Sequence, residues 1–190
     1  MKLFMVRHGQ TTANETITYA GQTDAKLTEL GKQQAAAIAP ILADIPFDKV
    51  YSSDLSRAYV TQQLALPKYT ATLLPLLREY DVGSVVGMNW DEAAEKYGPF
   101  NGDYSRVGGE STQMVEARVR KFLDMLEEEP CDYAAAFCHN GVMKAMLRVV
   151  LGPHNTAVIE NGNCNIAVFE FKKGTWRLLS WGYGIKYGPS

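Results

Sequence analysis

The sequence predicts an α/β fold: a three-layer α/β/α sandwich with a mostly parallel sheet and an antiparallel edge strand from a C-terminal hairpin. Short apolar runs alternate with longer segments of helical period, the pattern of strands joined by crossover helices on both faces of a sheet. Such crossovers are right-handed. Near the end, two alternating stretches flank Lys172-Lys173-Gly174, a hairpin with a glycine turn. Two of the apolar runs deliver a histidine and a glycine at their C-terminal ends, where ligands sit in open α/β sheets.

Lys2-Leu3-Phe4-Met5-Val6 is long enough for one buried strand and leads straight into Arg7-His8-Gly9. Taken alone, this stretch is equally a strand followed by a polar turn in which His8 acts as a cap. Residues 9–27 read as a polar loop with Gly21 and Asp24 as turn residues. Thr28 is an N-cap for a helix whose apolar positions run from Leu30 through Ala35, Ile38, Ile41 and Leu42 to Ile45, closed by Pro46. Gly31, in its first turn, lets another segment approach closely. Residues 47–51 form the second strand, ending in Ser52-Ser53-Asp54, and Ser53 or Asp54 caps the next helix. Arg57 in its first turn is oddly placed, because a helix N-terminus already carries partial positive charge; a bound anion would make sense of it.

Residues 70–77 are predicted as a third, short strand. Residues 78–110 are irregular, with a short helix near 90–97. The segment near 84–110, rich in glycine and in Trp90, Tyr97, Phe100 and Tyr104, resembles a lid or pocket wall; a surface excursion with its own small cluster is the alternative. Gly108-Gly109-Glu110-Ser111 opens the clearest helix, with Met114, Val115, Val119, Phe122, Leu123 and Leu126 on one face and Pro130 at its end. Residues 132–138 form a buried strand that delivers His139-Asn140-Gly141, and 142–151 a helix. Residues 165–171 and 176–181 are the hairpin strands.

Composition bounds the function. The 190 residues suit one domain, 1–190, able to bury a sizeable core. A net charge of -2 without any basic run argues against nucleic acid as a partner, so an anionic ligand would need a local cluster of cations. Cys131, Cys138 and Cys164 are odd in number with no C-x-x-C, as expected of reduced thiols in a cytoplasmic protein. His8, His139 and His154 have no metal-motif spacing, so no metal site is predicted. The first apolar run stops at Arg7, too early for a signal peptide, and no stretch is long enough to span a bilayer, so no membrane partner is expected. Oligomeric state is not legible.

Three strand ends therefore deliver polar groups: Arg7-His8, Ser52 to Arg57, and His139, with Glu79 following the third strand. If the strands are neighbours, two arginines and two histidines converge. Two guanidiniums make a bidentate clamp for a phosphoryl group. One imidazole serves as a nucleophile, the other as a donor to phosphoryl oxygens, and a carboxyl group as proton donor to the leaving oxygen. The fixed cations would take the place of a metal in neutralising transition-state charge. Singly, each residue has a plainer use: Arg57 in a surface ion pair, His139 bonded to backbone, Glu79 paired with Arg78 or Arg57.

Together the residues resemble the histidine phosphatase superfamily, also called the phosphoglycerate mutase-like family. Arg7-His8-Gly9 with Thr11 and Asn14 is similar to its signature, and Leu27-Thr28-x-x-Gly31-x-x-Gln34-Ala35 to its first-helix motif. Ser52-Ser53-x-Leu55-x-Arg57-Ala58-x-x-Thr61 resembles the second-arginine motif, and Leu77-Arg78-Glu79-x-Asp81-x-Gly83 the acid-bearing segment. Gly109-Glu110-Ser111 and Cys138-His139-Asn140-Gly141-Val142 complete six matches in order, over residues 2 to about 150. The resemblance implies that His8 is the nucleophile. It gives Arg7, Asn14, Arg57 and His139 to the phosphoryl oxygens, and Glu79 to the leaving group and then to water. Asp81, two residues on, rivals Glu79, although adjacent strand geometry would point the two to opposite sides. Val85-Val86-Gly87 stands where related phosphatases often carry Trp-Glu-Gly, which makes an apolar pocket wall the expectation there.

Within that resemblance, the sequence fits a metal-independent phosphomonoester phosphatase with no cofactor, acting on a small-molecule phosphate ester. A 2,3-bisphosphoglycerate-dependent phosphoglycerate mutase is the runner-up, but mutases of the family are usually longer. Segment 84–110 also has only Lys96 and Arg106 as cations to meet a substrate carboxylate. A non-catalytic phospho-ligand binder is the third reading; it would be expected to lack at least one of Arg7, His8, Arg57, Glu79 and His139, all present here. The acid-bearing segment further resembles that of the α-ribazole phosphatase branch.

Overall fold

The computed structural model of the chain describes residues 1–129, 131–152 and 159–183; Pro130 and His154, named above, lie outside them. Among the described residues one sheet contains six strands: β1 (Lys2–Arg7), β2 (Lys49–Ser52), β3 (Thr72–Leu73), β4 (Tyr133–Cys138), β5 (Ile166–Lys172) and β6 (Thr175–Trp181). Their order across the sheet is β3-β2-β4-β1-β5-β6. β1, β2, β3 and β4 are mutually parallel, and the hairpin β5–β6 continues the sheet antiparallel from β1. The predicted architecture is the observed one, with both hairpin strands at one edge.

The central strands are buried on both faces, so they read as continuous apolar runs rather than alternating ones. Leu3 and Met5 of β1 pack with one core, Phe4 and Val6 with the other, all 4% exposed or less. The first core takes Val115, Val119, Phe122 and Leu126 from α6 (Thr112–Glu128) and Val142, Met143 and Met146 from α7 (Asn140–Leu151). The second takes Ala35 from α2 (Glu29–Ala37), Leu42 from α3 (Ala39–Leu42) and Ala65 from α4 (Ser56–Ala65). Each Val, Leu, Phe or Met side chain so withdrawn from water contributes roughly 1.5–3 kcal/mol.

Several elements differ from expectation. The stretch 70–77 keeps only two residues of strand. Pro75, which cannot donate to a ladder, starts a 3-10 turn at Pro75–Leu77. The helix read as continuous over 28–45 breaks at Ile38, because Pro40 does not fit the interior of an α-helix and instead opens α3. The loop 9–27 contains a one-turn helix, α1 (Thr12–Glu15), closed by a reciprocal capping box between Thr11 and Asn14. Neither Ser53 nor Asp54 is the N-cap of α4; Leu55 occupies that position, and Asp24 reaches across to accept from the Ser56 backbone N–H at 3.1 Å. Thr28 caps α2 as expected, its hydroxyl accepting from Gly31 N–H at 3.0 Å.

Candidate active site

The register of the central pair creates the site. Arg7 pairs with Cys138 across parallel β1 and β4, so the next residues, His8 and His139, leave neighbouring strands at the same end of the sheet. His8 N–H still donates to Cys138 O at 3.0 Å. β2 lies on the other side of β4, and the turn after it feeds α4, whose first turn brings in Arg57. The two imidazoles face each other with ring centroids 5.1 Å apart.

Each ring is fixed by its partners. His8 Nδ1 lies 2.7 Å from the Gly9 carbonyl, which only accepts, so Nδ1 carries the proton and Nε2 is left with its lone pair. His139 Nδ1 receives a hydrogen bond from Arg57 Nε at 3.2 Å, so its proton is on Nε2, which donates to Ser53 Oγ at 2.9 Å. Burial pushes both imidazoles well below the usual histidine range, and Arg57 beside each of them pushes in the same direction. Both rings are therefore neutral.

The arginines are held from the far side. Arg57, 2% exposed, donates to Thr23 O and Gly21 O, each at 2.7 Å. Arg7 donates through Nη1 to Asn161 O, and its Nε is buried without a hydrogen-bond partner among the described residues. Burial lowers the pKa of both guanidiniums, while Glu79 opposes it. The Gly9 loop rests on α2 so closely that a Cβ at Gly31 would overlap the Gln10 carbonyl, the close approach that the glycine predicted.

A cavity of about 590 Å³ opens above this floor. Arg7, His8, Asn14, Arg57 and Glu79 line it; His139 does not, being fully buried against His8 and Arg57. Asn14 Oδ1 is engaged by Thr11 N–H at 3.1 Å and by Asn163 Nδ2 at 3.2 Å. Glu79 accepts from Tyr80 N–H at 3.0 Å and from Gly141 N–H, at the start of α7, at 3.1 Å. Its segment is pinned from below by Arg118, which donates to Leu76 O and Arg78 O at 2.8 Å and is paired with Glu110 at 2.8 Å. Asp81 is exposed, does not line the cavity, and caps the turn at Gly83 N–H at 2.9 Å.

Segment 84–110 folds over one side through α5 (Trp90–Tyr97) and docks where Asn89 bridges Thr18. Its aromatics mostly pack on one another: Phe100 stacks on Tyr104 at 4.9 Å, and both meet Tyr19. Trp90, Tyr104 and Tyr19 also line the cavity. Val85 and Val86 do not; Val85 is buried in the core and Val86 points outward at 41% exposed. The apolar wall expected from them is built from the aromatics instead. Ser53, Thr61, Asn161 and Asn163 hold the histidines, the arginines and the Gly9 loop through side chains or carbonyls; the sequence presents Ser53 and Thr61 only as motif positions around Arg57, with no role assigned, and does not mark Asn161 or Asn163. Their partners lie 52 to 155 residues away in the chain, and no local spacing distinguishes Asn161 and Asn163.

Among the described residues no group of histidine, cysteine, aspartate and glutamate side chains is arranged to hold a metal ion, and no helix is long and apolar enough to cross a membrane.

Known proteins share this sequence pattern and fold. The adenosylcobalamin/α-ribazole phosphatase of Salmonella typhimurium is 31% identical over 169 residues, covering 80% of each chain. The metal-independent phosphoserine phosphatase of Arabidopsis thaliana is 30% identical over 194 residues, 95% of this chain and 80% of that one. The structure of a mycobacterial glucosyl-3-phosphoglycerate phosphatase with VO3 superposes with a TM-score of 0.86 at 28% identity, covering 96% of this chain and 99% of that one. Proteins named as phosphoglycerate mutases are also among the relatives. The profile of the histidine phosphatase superfamily (branch 1) matches residues 3–184. The chain belongs to the histidine phosphatase superfamily, branch 1, and its class of chemistry is that of a phosphoric monoester hydrolase.

Proposed function

We infer that the chain is a metal-independent phosphatase that hydrolyses a small phosphorylated metabolite through a phosphohistidine on His8. The observation that carries this is the pairing of two neutral, facing imidazoles with two guanidiniums, Arg57 buried and Arg7 half-buried, at and just beneath the floor of one cavity. Neutral His8 offers the Nε2 lone pair to phosphorus. Arg7 and Arg57 have donors to spare for phosphoryl oxygens, and the unpartnered Nε of Arg7 is one of them. With Asn14 Oδ1 engaged, its Nδ2 is the group left to donate. The relatives above that are named as phosphatases support the same reading.

His8 Nε2 forms a bond to phosphorus as the bond to the leaving oxygen breaks. Glu79, as an acid, gives that oxygen its proton. Water then attacks the phosphohistidine, Glu79 as carboxylate takes the water proton, and the P–N bond returns its electron pair to His8. For His139 to donate to a phosphoryl oxygen, Nδ1 must exchange the Arg57 hydrogen bond for a proton of its own. Ser53 can then turn its hydroxyl to donate to Nε2, since a serine both donates and accepts.

The test is phosphate release from a panel of phosphomonoesters with chelator present, alongside 3-phosphoglycerate plus 2,3-bisphosphoglycerate. Release that disappears in His8→Ala is the expected result. Isomerisation of 3-phosphoglycerate faster than its hydrolysis would make the protein a mutase. Tight phosphate binding without turnover of any ester would make it a binder.

A further inference from the structure

We propose that Lys144 binds a carboxylate on the leaving-group side of the substrate, so that the cavity selects phosphomonoesters with a second, singly charged anionic group. The inference rests on the phosphatase reading above and adds the class of molecule that brings the phosphate.

Helix α7 carries Gly141, Lys144 and Arg148 at spacings of three and four, on one face, and all three line the cavity. Gly141 holds Glu79 beside the phosphoryl site. Lys144 stands one turn further along, roughly 5 Å at the rise of a helix, and its flexible stem extends that reach. It lies therefore on the side from which the leaving group departs.

The charges on this wall are not equivalent. Arg148 is already paired: Nε donates to Glu116 at 2.5 Å and Nη2 to the Tyr80 hydroxyl at 2.9 Å, so its charge is offset by a carboxylate. Lys144 makes no hydrogen bond or ion pair among the described residues. On the floor, two guanidiniums already match a doubly charged phosphoryl group. Lys144 is thus a cation left for something else in the ligand. One ammonium is a compact point charge that balances a monoanion, whereas a doubly charged second phosphoryl group is better matched by two cations, and the charge of Arg148 is already offset by Glu116. Tyr19, Trp90 and Tyr104 furnish the intervening apolar wall. The cation sought within 84–110 is supplied by α7 instead.

Two matched pairs of esters test this by kcat/KM for phosphate release: 3-phosphoglycerate against glycerol 3-phosphate, and 4-carboxyphenyl phosphate against phenyl phosphate. The carboxylate-bearing member should be preferred about tenfold or more in at least one pair. That ratio should fall to about one in Lys144→Met and persist in Lys144→Arg. A ratio unaltered by Lys144→Met overturns the proposal. So does an equal loss for both members with a displaced pH profile, which would make Lys144 a counter-charge to Glu79. Calorimetric binding of the same pairs to His8→Ala protein and to its Lys144→Met derivative reads the preference without chemistry. If no ester is hydrolysed, the phosphatase reading fails, and the binding ratio still decides for or against Lys144.

Discussion

His8 and His139 face each other at 5.1 Å between ring centroids, inclined by 58°, and neither carries a charge. The relationship comes from strand register alone: each histidine is the residue after a paired position on adjacent parallel strands. Two protonated imidazoles beside two arginines would repel, so the arrangement is stable only because burial keeps both rings neutral. Neutrality is also what a nucleophilic imidazole needs.

Stability should depend on pH through these two rings. In the unfolded chain an imidazole gains a proton as pH falls through about 6.5, whereas His8 and His139 stay neutral in the folded protein until well below that. Over that interval the unfolded chain binds more protons. Stability is therefore fully present above the ordinary histidine range and is lost as pH drops through it, by up to about 1.4 kcal/mol per pH unit for each ring. Urea denaturation at stepped pH should show this slope, reduced in His8→Gln. In proton NMR neither the His8 nor the His139 ring of the free protein should titrate near 6.5; either of these two doing so is incompatible with the buried, arginine-flanked site.

Ser53 should matter to both stability and rate. Its hydroxyl is the only group among the described residues bonded to His139 Nε2, and both side chains are fully buried. Ser53→Ala leaves that N–H without a partner, at a cost of about 1–3 kcal/mol. Thermal denaturation should register the loss. kcat should fall more than the stability loss alone explains, because the ring loses the hydroxyl that can accept from Nε2 and then donate to it as the tautomer set by Arg57 changes during turnover. Wild-type kcat in a destabilised Ser53→Ala protein would limit Ser53 to a structural role.

Apolar periodicity and strand-end chemistry make the sheet, the layers and the candidate residues Arg7, His8, Arg57 and His139 legible in the sequence, because each is marked locally. β1 and β4 are marked by buried runs, and His8 and His139 by their place at the C-terminal ends of those runs. Arg57 at the N-terminus of α4 is legible as an anomaly, a cation where the helix dipole opposes one. Ser53 is visible as a candidate helix cap and as a motif position before Arg57 but not as a partner of His139, and Asn161 and Asn163 have no signal, since their roles depend on contacts made after the chain has folded back across the sheet. At Pro40 and Pro75 apolar periodicity misleads: it runs through residues whose rings and missing N–H groups forbid the helix or strand from continuing. Lys144 has no local mark either, because its helical face becomes a cavity wall only when Glu79 is packed against the start of α7.

Gly141 should not tolerate a side chain without loss of rate. A Cβ there would overlap Glu79 Oε1 and the ring of Tyr80, which is itself buried. The carboxylate must move before the ring does, so Gly141→Ala should displace Glu79 from the Gly141 N–H. kcat should drop by about tenfold or more for alkyl phosphates, since a 1 Å misplacement of a positioned group can cost as much as 100-fold. Circular dichroism should find the fold intact. An alanine variant with full activity on alkyl phosphates would mean that the Glu79–Gly141 hydrogen bond does not position the acid.

Glu79 and Asp81 should separate by leaving group. Glu79 lines the cavity with both oxygens bonded to N–H groups, while Asp81 is exposed and caps the Gly83 turn. A general acid contributes about 10²–10⁴-fold, and most where the leaving oxygen is a strong base. Glu79→Gln should therefore cost alkyl phosphates a factor in that range and 4-nitrophenyl phosphate far less, because nitrophenolate departs without a proton. Asp81→Asn should leave both rates near wild type, its turn still capped by the amide oxygen. The comparison also controls for position: a carboxamide cannot accept from both N–H groups, so Glu79→Gln disturbs geometry too, but misplacement alone would slow both esters alike. A selective loss of alkyl phosphate hydrolysis in Asp81→Asn would transfer the role to the exposed carboxylate.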